Sequence, residues 1–264
     1  MTLTSSHSNL VRAVVAAGVV ATMAACTSTT STSLQGPKES PSLSTAVVYQ
    51  TESKEYPLLS QFVYAQAIDA LPAQFNAADV VVMDVDETVL DNSQYQRERE
   101  SQGLGYSPSS WEAWVKRKEA TLVPGVAEFL KEVIARNGKV ALITNRDKSL
   151  DRYTWENLLA QSLPLTPQNT CVMGRVQQDK EAVGQPNIVN DKDLRRTQLI
   201  SGEAACSIGN DKRNWRKPHT IIMQIGDNIE DFAGVTQESA DVNTLSPQTG
   251  TSLFILPNPM YGSW

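Results

Sequence analysis

Asp84 and Asp86 stand two apart in the run Asp84-Val85-Asp86-Glu87-Thr88, directly after the apolar stretch Val80 to Met83. In extended backbone alternate side chains share a face, so both carboxylates leave the strand on one side. Two like charges drawn together and out of water repel, and they need a cation or a proton between them. A second polar group, Thr144-Asn145-Arg146, closes the apolar run that begins at Lys139, and its side chains suit phosphate oxygens. A third, Gly226-Asp227-Asn228-Ile229-Glu230-Asp231, follows Thr220 to Ile225 and offers more carboxylates on a glycine-led turn. If these three ends adjoin, a hard, oxygen-seeking divalent ion, Mg²⁺ above all, is the natural neutraliser.

The elements that must position these residues are legible as texture. Asp79 to Met83 is a short apolar run read as a strand buried on both faces, and Lys139 to Thr144, Cys171 to Met173, Thr220 to Ile225 and Ser252 to Leu256 share its texture as strand candidates. Between them lie helical stretches, from Pro124 to about Asn137, from Lys148 to about Gln161, and from Leu194 to about Cys206. Upstream, Leu43 to Leu71 reads as two helices interrupted at Pro57, the second covering Leu58 to Ala70. Alternating strand and helix predicts an α/β fold, a parallel Rossmann-like sheet flanked by helices with right-handed crossovers. In such sheets ligands bind beyond the carboxyl ends of the strands, where the three polar groups fall.

With those motifs in place, the chain resembles the haloacid-dehalogenase-like phosphohydrolases. Asp84, Asp86 and Thr88 match their DxDxT, Thr144 their second motif, and Gly226, Asp227 and Asp231 their GDxxxD. It resembles more narrowly the class C non-specific bacterial acid phosphatases, through Met83 to Asn92 with Tyr95, and through Ile222 to Phe232. Ser110 to Val115 and Pro124-Gly125 are similar to the segment joining the first two motifs, and the likeness runs from about Tyr49 to Phe232. It implies a domain over residues 45–264 with N-terminal helices and a small helical cap around residues 95–121.

By that resemblance, Asp84 attacks phosphorus to give an aspartyl-phosphate, and Asp86 protonates the leaving oxygen and then activates water. Asp84, the backbone carbonyl of Asp86, and Asp227 hold Mg²⁺, and Asp231 orients them from behind. Thr144 and Asn145 bind the phosphate oxygens, and Trp111 stacks on an aromatic or nucleobase leaving group. Read from spacing alone, Trp111 and Trp114 are equally a core stripe, and Thr144 also suits a helix N-cap. Arg146 reads first as a surface or a salt-bridged residue. The motif lysine has two candidates: Lys192, in Lys192-Asp193-Leu194-Arg195, fits the Lys-x-x-Arg pattern but lies far upstream, while Lys212 lies closer to Gly226. The implied reaction is hydrolysis of small phosphomonoesters, nucleoside monophosphates or aryl phosphates. The alternative is a non-catalytic surface lipoprotein that keeps the fold as a binding module.

The N-terminus speaks to location. Arg12 precedes the run Val14 to Ala25, too short to span a bilayer, which ends in Met23-Ala24-Ala25-Cys26. This resembles a lipoprotein signal: residues 1–25 form the signal peptide, Cys26 carries the membrane-anchoring lipid, and the Ser/Thr-rich residues 26–44 form a tether. Thr27 after the cysteine favours the outer membrane by analogy with enteric sorting. Of the remaining cysteines, Cys171 and Cys206 either pair or stand as separate thiols. A net charge of −6 argues against binding a nucleic-acid polymer. Beyond the leader, His219 is the single histidine, which excludes Ser-His hydrolases and phosphohistidine chemistry that need a placed one. No HExxH, GxxxxGK or GxSxG pattern is present.

Overall fold

Val80, Val81, Val82 and Met83 are all buried, yet they serve two different cores. They belong to strand β1 (Asp79–Met83), whose alternation sends Val81 and Met83 to one side of a sheet and Val80 and Val82 to the other. This is why the run is continuously apolar instead of alternating. The structure is a computed structural model that describes residues 42–206 and 214–264. Cys26, the signal-peptide stretch, most of the tether and Lys212 therefore lie outside the described residues.

Two helices, α1 (Thr45–Glu52) and α2 (Glu55–Asp69), precede β1. The break falls at Ser53-Lys54, not at Pro57, which sits in the first turn of α2. There its missing N–H costs nothing, because first-turn amides have no intrahelical acceptor. After β1 comes a small antiparallel pair, β2 (Leu90–Asp91) and β3 (Thr121–Leu122), which brackets the cap helices α3 (Ser93–Ser101) and α4 (Pro108–Arg117). Ser107 caps α4 with a reciprocal bond to Ser110, and Pro108 follows at its first position.

The remaining chain alternates as its texture predicts: α5 (Val126–Ala135), β4 (Val140–Asp147), α6 (Asp151–Ala160), β5 (Thr170–Arg175), α7 (Gln177–Ala182), α8 (Asp193–Ser201), β6 (Thr220–Gly226), α9 (Val242–Leu245) and β7 (Leu253–Ile255). Five of the strands form a parallel sheet in the order β5-β4-β1-β6-β7. Tyr64 and Ala67 of α2, Phe129, Leu130 and Val133 of α5, and Leu158 of α6 fill one face. Leu199 of α8, with Ala204 and Trp215, fills the other. The cap is joined to the first core through Tyr95, Trp114 and Val115.

Two features of this sheet build the site. β1 lies between β4 and β6, so the residues following these three strands emerge side by side at one edge. In addition, the pairing of β4 with β5 jumps from Thr144↔Gly174 to Asp147↔Arg175. Asn145 and Arg146 are left without opposite numbers, a bulge that frees their side chains from the sheet's alternation. Cys171 of β5 forms a disulfide with Cys206, with Cα atoms 5.2 Å apart, resolving the two readings in favour of pairing. No described helix is long and apolar enough to cross a membrane.

Candidate active site

Asp84 leaves β1 with its amide bonded to the Ile225 carbonyl of β6 (3.0 Å) and its side chain almost wholly buried. The Lys192 ammonium, at the start of α8, touches Asp84 Oδ1 and lies 2.5 Å from Asp231 Oδ1. Of the two candidate lysines, Lys192 thus reaches the first-motif aspartate; Lys212 lies outside the described residues. Oxygens of Asp84, Asp227 and Asp231 fall within 4.8 Å of one another.

Charge in this cluster is incompletely balanced. Burial pushes the Asp84 carboxyl up to about 7, with Asp231 and Asp86 adding to the rise against the pull of Lys192. Desolvation, then Asp231 and Asp84, raise Asp227 well above the carboxylate range. Burial alone would depress Lys192, but the two carboxylates it touches outweigh this and move it upward. Three acids around one ammonium form a hard oxygen donor set with surplus negative charge, and they fit a divalent cation. Asp227 is steered by Thr88 Oγ1 (3.1 Å) and by Asn258 Nδ2 (2.8 Å). Asp231 already receives Lys192 on Oδ1 and the Asn228 amide on Oδ2 (2.9 Å). That amide bond folds Asp231 back over Gly226, where a Cβ would lie 2.1 Å from Asp231 Oδ2. Glycine at 226 is therefore a packing requirement of the turn.

Asp86 sits two residues beyond Asp84 in a different setting. Arg146 donates to it from Nη2 (2.7 Å to Oδ1) and Nε (3.0 Å), and Asn92 donates from Nδ2 (2.9 Å). Arg146 is buried and paired, not a surface residue. Thr144 Oγ1 accepts from the Arg146 amide (3.1 Å) and lies 3.4 Å from Asp86 Oδ2. Asn145 is exposed at the mouth, and its Oδ1 accepts from Arg195 Nη2 (3.2 Å), which leaves its NH₂ group for a ligand. Arg195 also donates to the carbonyls of Thr144 and Met173. The loop after Asp86 is tight: Glu87 adopts φ 56°, and its buried carboxyl accepts from the Asn92 amide (2.7 Å). Burial, then Asp86, raise the Glu87 carboxyl well above its ordinary value.

The cleft lined by Asp84, Asp86, Asn145, Lys192, Asp227 and Asp231 has a volume of about 300 Å³. A second, of about 310 Å³, shares Asp86 and Asn145 and is walled by Tyr106, Trp111, Arg146 and Tyr261. The two tryptophans part company here. Trp111 is half-buried on the slot, edge-on to Tyr95 (5.1 Å, 78°), whereas Trp114 is a core residue. The sequence patterns assign no role to Asn92, Arg195 or Asn258. Asn258 carries a usable signal, being polar and just past the last apolar strand; Asn92 bonds its near neighbours Asp86 and Glu87 across the tight loop, and Arg195 reaches the distant strands β4 and β5.

An acidic cleft at the carboxyl edge of a parallel sheet, with an aspartate–lysine contact at its base and oxygens spaced to fit a divalent cation, has the features that phosphoryl transfer in α/β proteins calls for. The chain belongs to the HAD superfamily, subfamily IIIB (acid phosphatase), whose family model matches residues 12–264. It is similar to the class C acid phosphatase from Bacillus anthracis, at 26% identity and TM-score 0.65, covering 83% of this chain and 84% of that one. The tungstate-bound structure of the Bacillus anthracis enzyme matches with the same identity and coverage at TM-score 0.64. The protein is a phosphomonoesterase of the acid phosphatase type.

Proposed function

We propose that this phosphatase is a Mg²⁺-dependent enzyme that hydrolyses nucleoside monophosphates or aryl phosphates through an aspartyl-phosphate on Asp84. The observation that carries the reading is the contact of Lys192 with both Asp84 and Asp231, beside Asp227 and next to an aromatic slot. Asp84 Oδ attacks phosphorus as the bond to the leaving oxygen breaks, and Asp86 gives that oxygen a proton. Asp86 then takes a proton from water as the water attacks phosphorus, releasing phosphate and restoring Asp84. Thr144 and the Asn145 NH₂ group hydrogen-bond the non-bridging oxygens, and Lys192 screens their charge. Mg²⁺, held by Asp84, Asp227 and the backbone carbonyl of Asp86, supplies when bound the positive charge that offsets repulsion between nucleophile and phosphate. Asp231 orients Lys192. Trp111, with Tyr106 and Tyr261 across the slot, favours flat leaving groups. The tungstate-bound state of the Bacillus anthracis relative supports oxyanion binding in this family.

The chain acts outside the inner membrane, tethered by lipid on Cys26, with Thr27 favouring the outer membrane. The disulfide between Cys171 and Cys206 supports an oxidising compartment. Phosphate release from nucleotides, sugar phosphates and aryl phosphates, measured after chelation and after Mg²⁺ restoration, tests the catalytic reading. Chelator-resistant turnover rejects the metal, and a preference for sugar phosphates rejects the substrate class. Labelled fatty acid entering the wild type but not Cys26→Ser tests the anchor, and equal labelling of both rejects it.

A further inference from the structure

Arg146 has no role in the chemistry set out above, yet its guanidinium is buried and held by three side chains. Nη1 donates to Thr154 Oγ1 of α6 (3.1 Å), Nη2 to Asn92 Oδ1 (3.3 Å), and Nε and Nη2 grip Asp86. Its guanidinium carbon lies 5.7 Å from the Trp111 ring centre. Asn92, the other group that grips Asp86, is fixed in turn by Trp114, whose Nε1 donates to Asn92 Oδ1 (2.8 Å). Trp111 and Trp114 stand three apart on α4 and so share a face. One cap helix therefore bears on the two nitrogen donors that hold Asp86, through Trp111 over Arg146 and through Trp114 on Asn92. Freely rotating, an aspartate at this position could swing toward the cation cleft, which it also lines. A planar fork with two donors on one carboxylate prevents that swing more strictly than a point charge could.

We propose that Arg146 is a positioning residue that aims the Asp86 carboxyl at the leaving-group slot and couples that aim to a leaving group seated on Trp111. The inference rests on the reading of Asp86 as proton donor. It makes Arg146 matter to the leaving group and not to the phosphate, whose oxygens are met by Thr144, Asn145 and Lys192.

The test is kcat/KM for 4-nitrophenyl phosphate, phenyl phosphate and an alkyl phosphate, which reports phosphoryl transfer and not the later hydrolysis step. Arg146→Met should lose at least ~10²-fold on phenyl and alkyl phosphate, and less than about tenfold on 4-nitrophenyl phosphate, whose leaving group departs without a proton. Inhibition by inorganic phosphate should stay within about threefold of wild type, since a few-fold change is small beside the loss of a phosphate ligand. Arg146→Lys should fall between, keeping the charge without the fork, and serves alone if the methionine variant does not fold. Trp111→Leu combined with Arg146→Lys should be non-additive on phenyl phosphate. An equal loss on all three substrates, weakened phosphate inhibition, or additivity overturns the inference. A wild type without phosphatase activity fails the functional reading instead, which separates the two.

Discussion

Lys192 and Asp84 are 108 residues apart in sequence, yet the ammonium of one touches the carboxylate of the other, both almost wholly buried at the base of the cleft. Asp231 closes the other side of the same ammonium. Removing the lysine charge leaves two buried carboxylates facing one another, which is costlier than removing the whole group. Lys192→Met should destabilise the metal-free protein by about 3 kcal/mol, and added Mg²⁺ should narrow that gap. Turnover should fall by ~10²–10³ through loss of charge stabilisation. Lys212→Ala should leave turnover near wild type. Near-normal turnover in the Lys192 variant, with loss in the Lys212 variant, reverses the assignment.

The disulfide offers a separate handle on stability. It closes a span of 35 residues and ties β5 to the segment after α8. Chain-entropy arguments give such a bridge about 3–4 kcal/mol. A Cys171→Ala, Cys206→Ala double variant, or wild type in strong reductant, should show a clearly lowered Tm. Because neither cysteine lines the catalytic cleft, kcat at a temperature well below Tm should change little. An unchanged Tm would mean that the bridge does not form in solution.

His219 sets a pH limit on the fold. It is buried just before β6 and stacks on Trp215, with ring centres 5.2 Å apart. Burial, then the charge of Lys139, hold its imidazole below the ordinary histidine value. The unfolded chain therefore binds this proton first as the pH falls through about 6.5, and the native state resists it until lower pH. Stability is lost across that window and levels off once the native imidazole also titrates. His219→Phe keeps the stack without the proton. It should therefore show a smaller fall in Tm between pH 7 and pH 5 than wild type. Parallel curves for the two proteins would show that another group governs the acid limb.

What the sequence disclosed and what it hid follow from range of interaction. The five strands were readable because each is a short, mostly apolar run, a local property that is complete in Val80 to Met83 and weaker toward the sheet edge at β6 and β7. The three polar strand ends were readable as a candidate site because parallel topology puts them on one edge. Hidden were contacts made by register and by distance. The bulge at Asn145 and Arg146 is a property of two strands together, and nothing in Thr144-Asn145-Arg146 alone announces that Arg146 turns inward to Asp86. Likewise Arg195 lay in plain view in Lys192-Asp193-Leu194-Arg195, but its work on the Thr144 carbonyl and Asn145 needs α8 against β4. The helix start before Pro57 shows the opposite lesson: a breaker residue marks a boundary only to within a turn.

The sharpest test separates Asp84 from Asp86, which share a strand end but not an environment. Asp84 sits in a buried cluster with Lys192, Asp227 and Asp231, suited to a group that must attack phosphorus. Asp86 faces Arg146 and Asn92 at the slot's wall, suited to a group that meets the leaving oxygen. On the proposed mechanism Asp84→Asn removes the atom that bonds to phosphorus, so turnover should vanish for every substrate, including 4-nitrophenyl phosphate. Asp86→Asn keeps the nucleophile and the backbone carbonyl, so metal binding should persist while turnover falls by roughly 10²–10⁴-fold. On kcat/KM that loss should shrink for nitrophenolate, whose departure needs no proton. On kcat it should persist, because the same side chain must draw a proton from water in the second step. The Asp86 variant should therefore accumulate the acyl phosphate when hydrolysis is slowed more than attack. Rapid quench with ³²P-labelled substrate, followed by peptide mapping, should find the label on Asp84. Label on any other residue, or near-normal turnover in Asp84→Asn, would reassign the nucleophile.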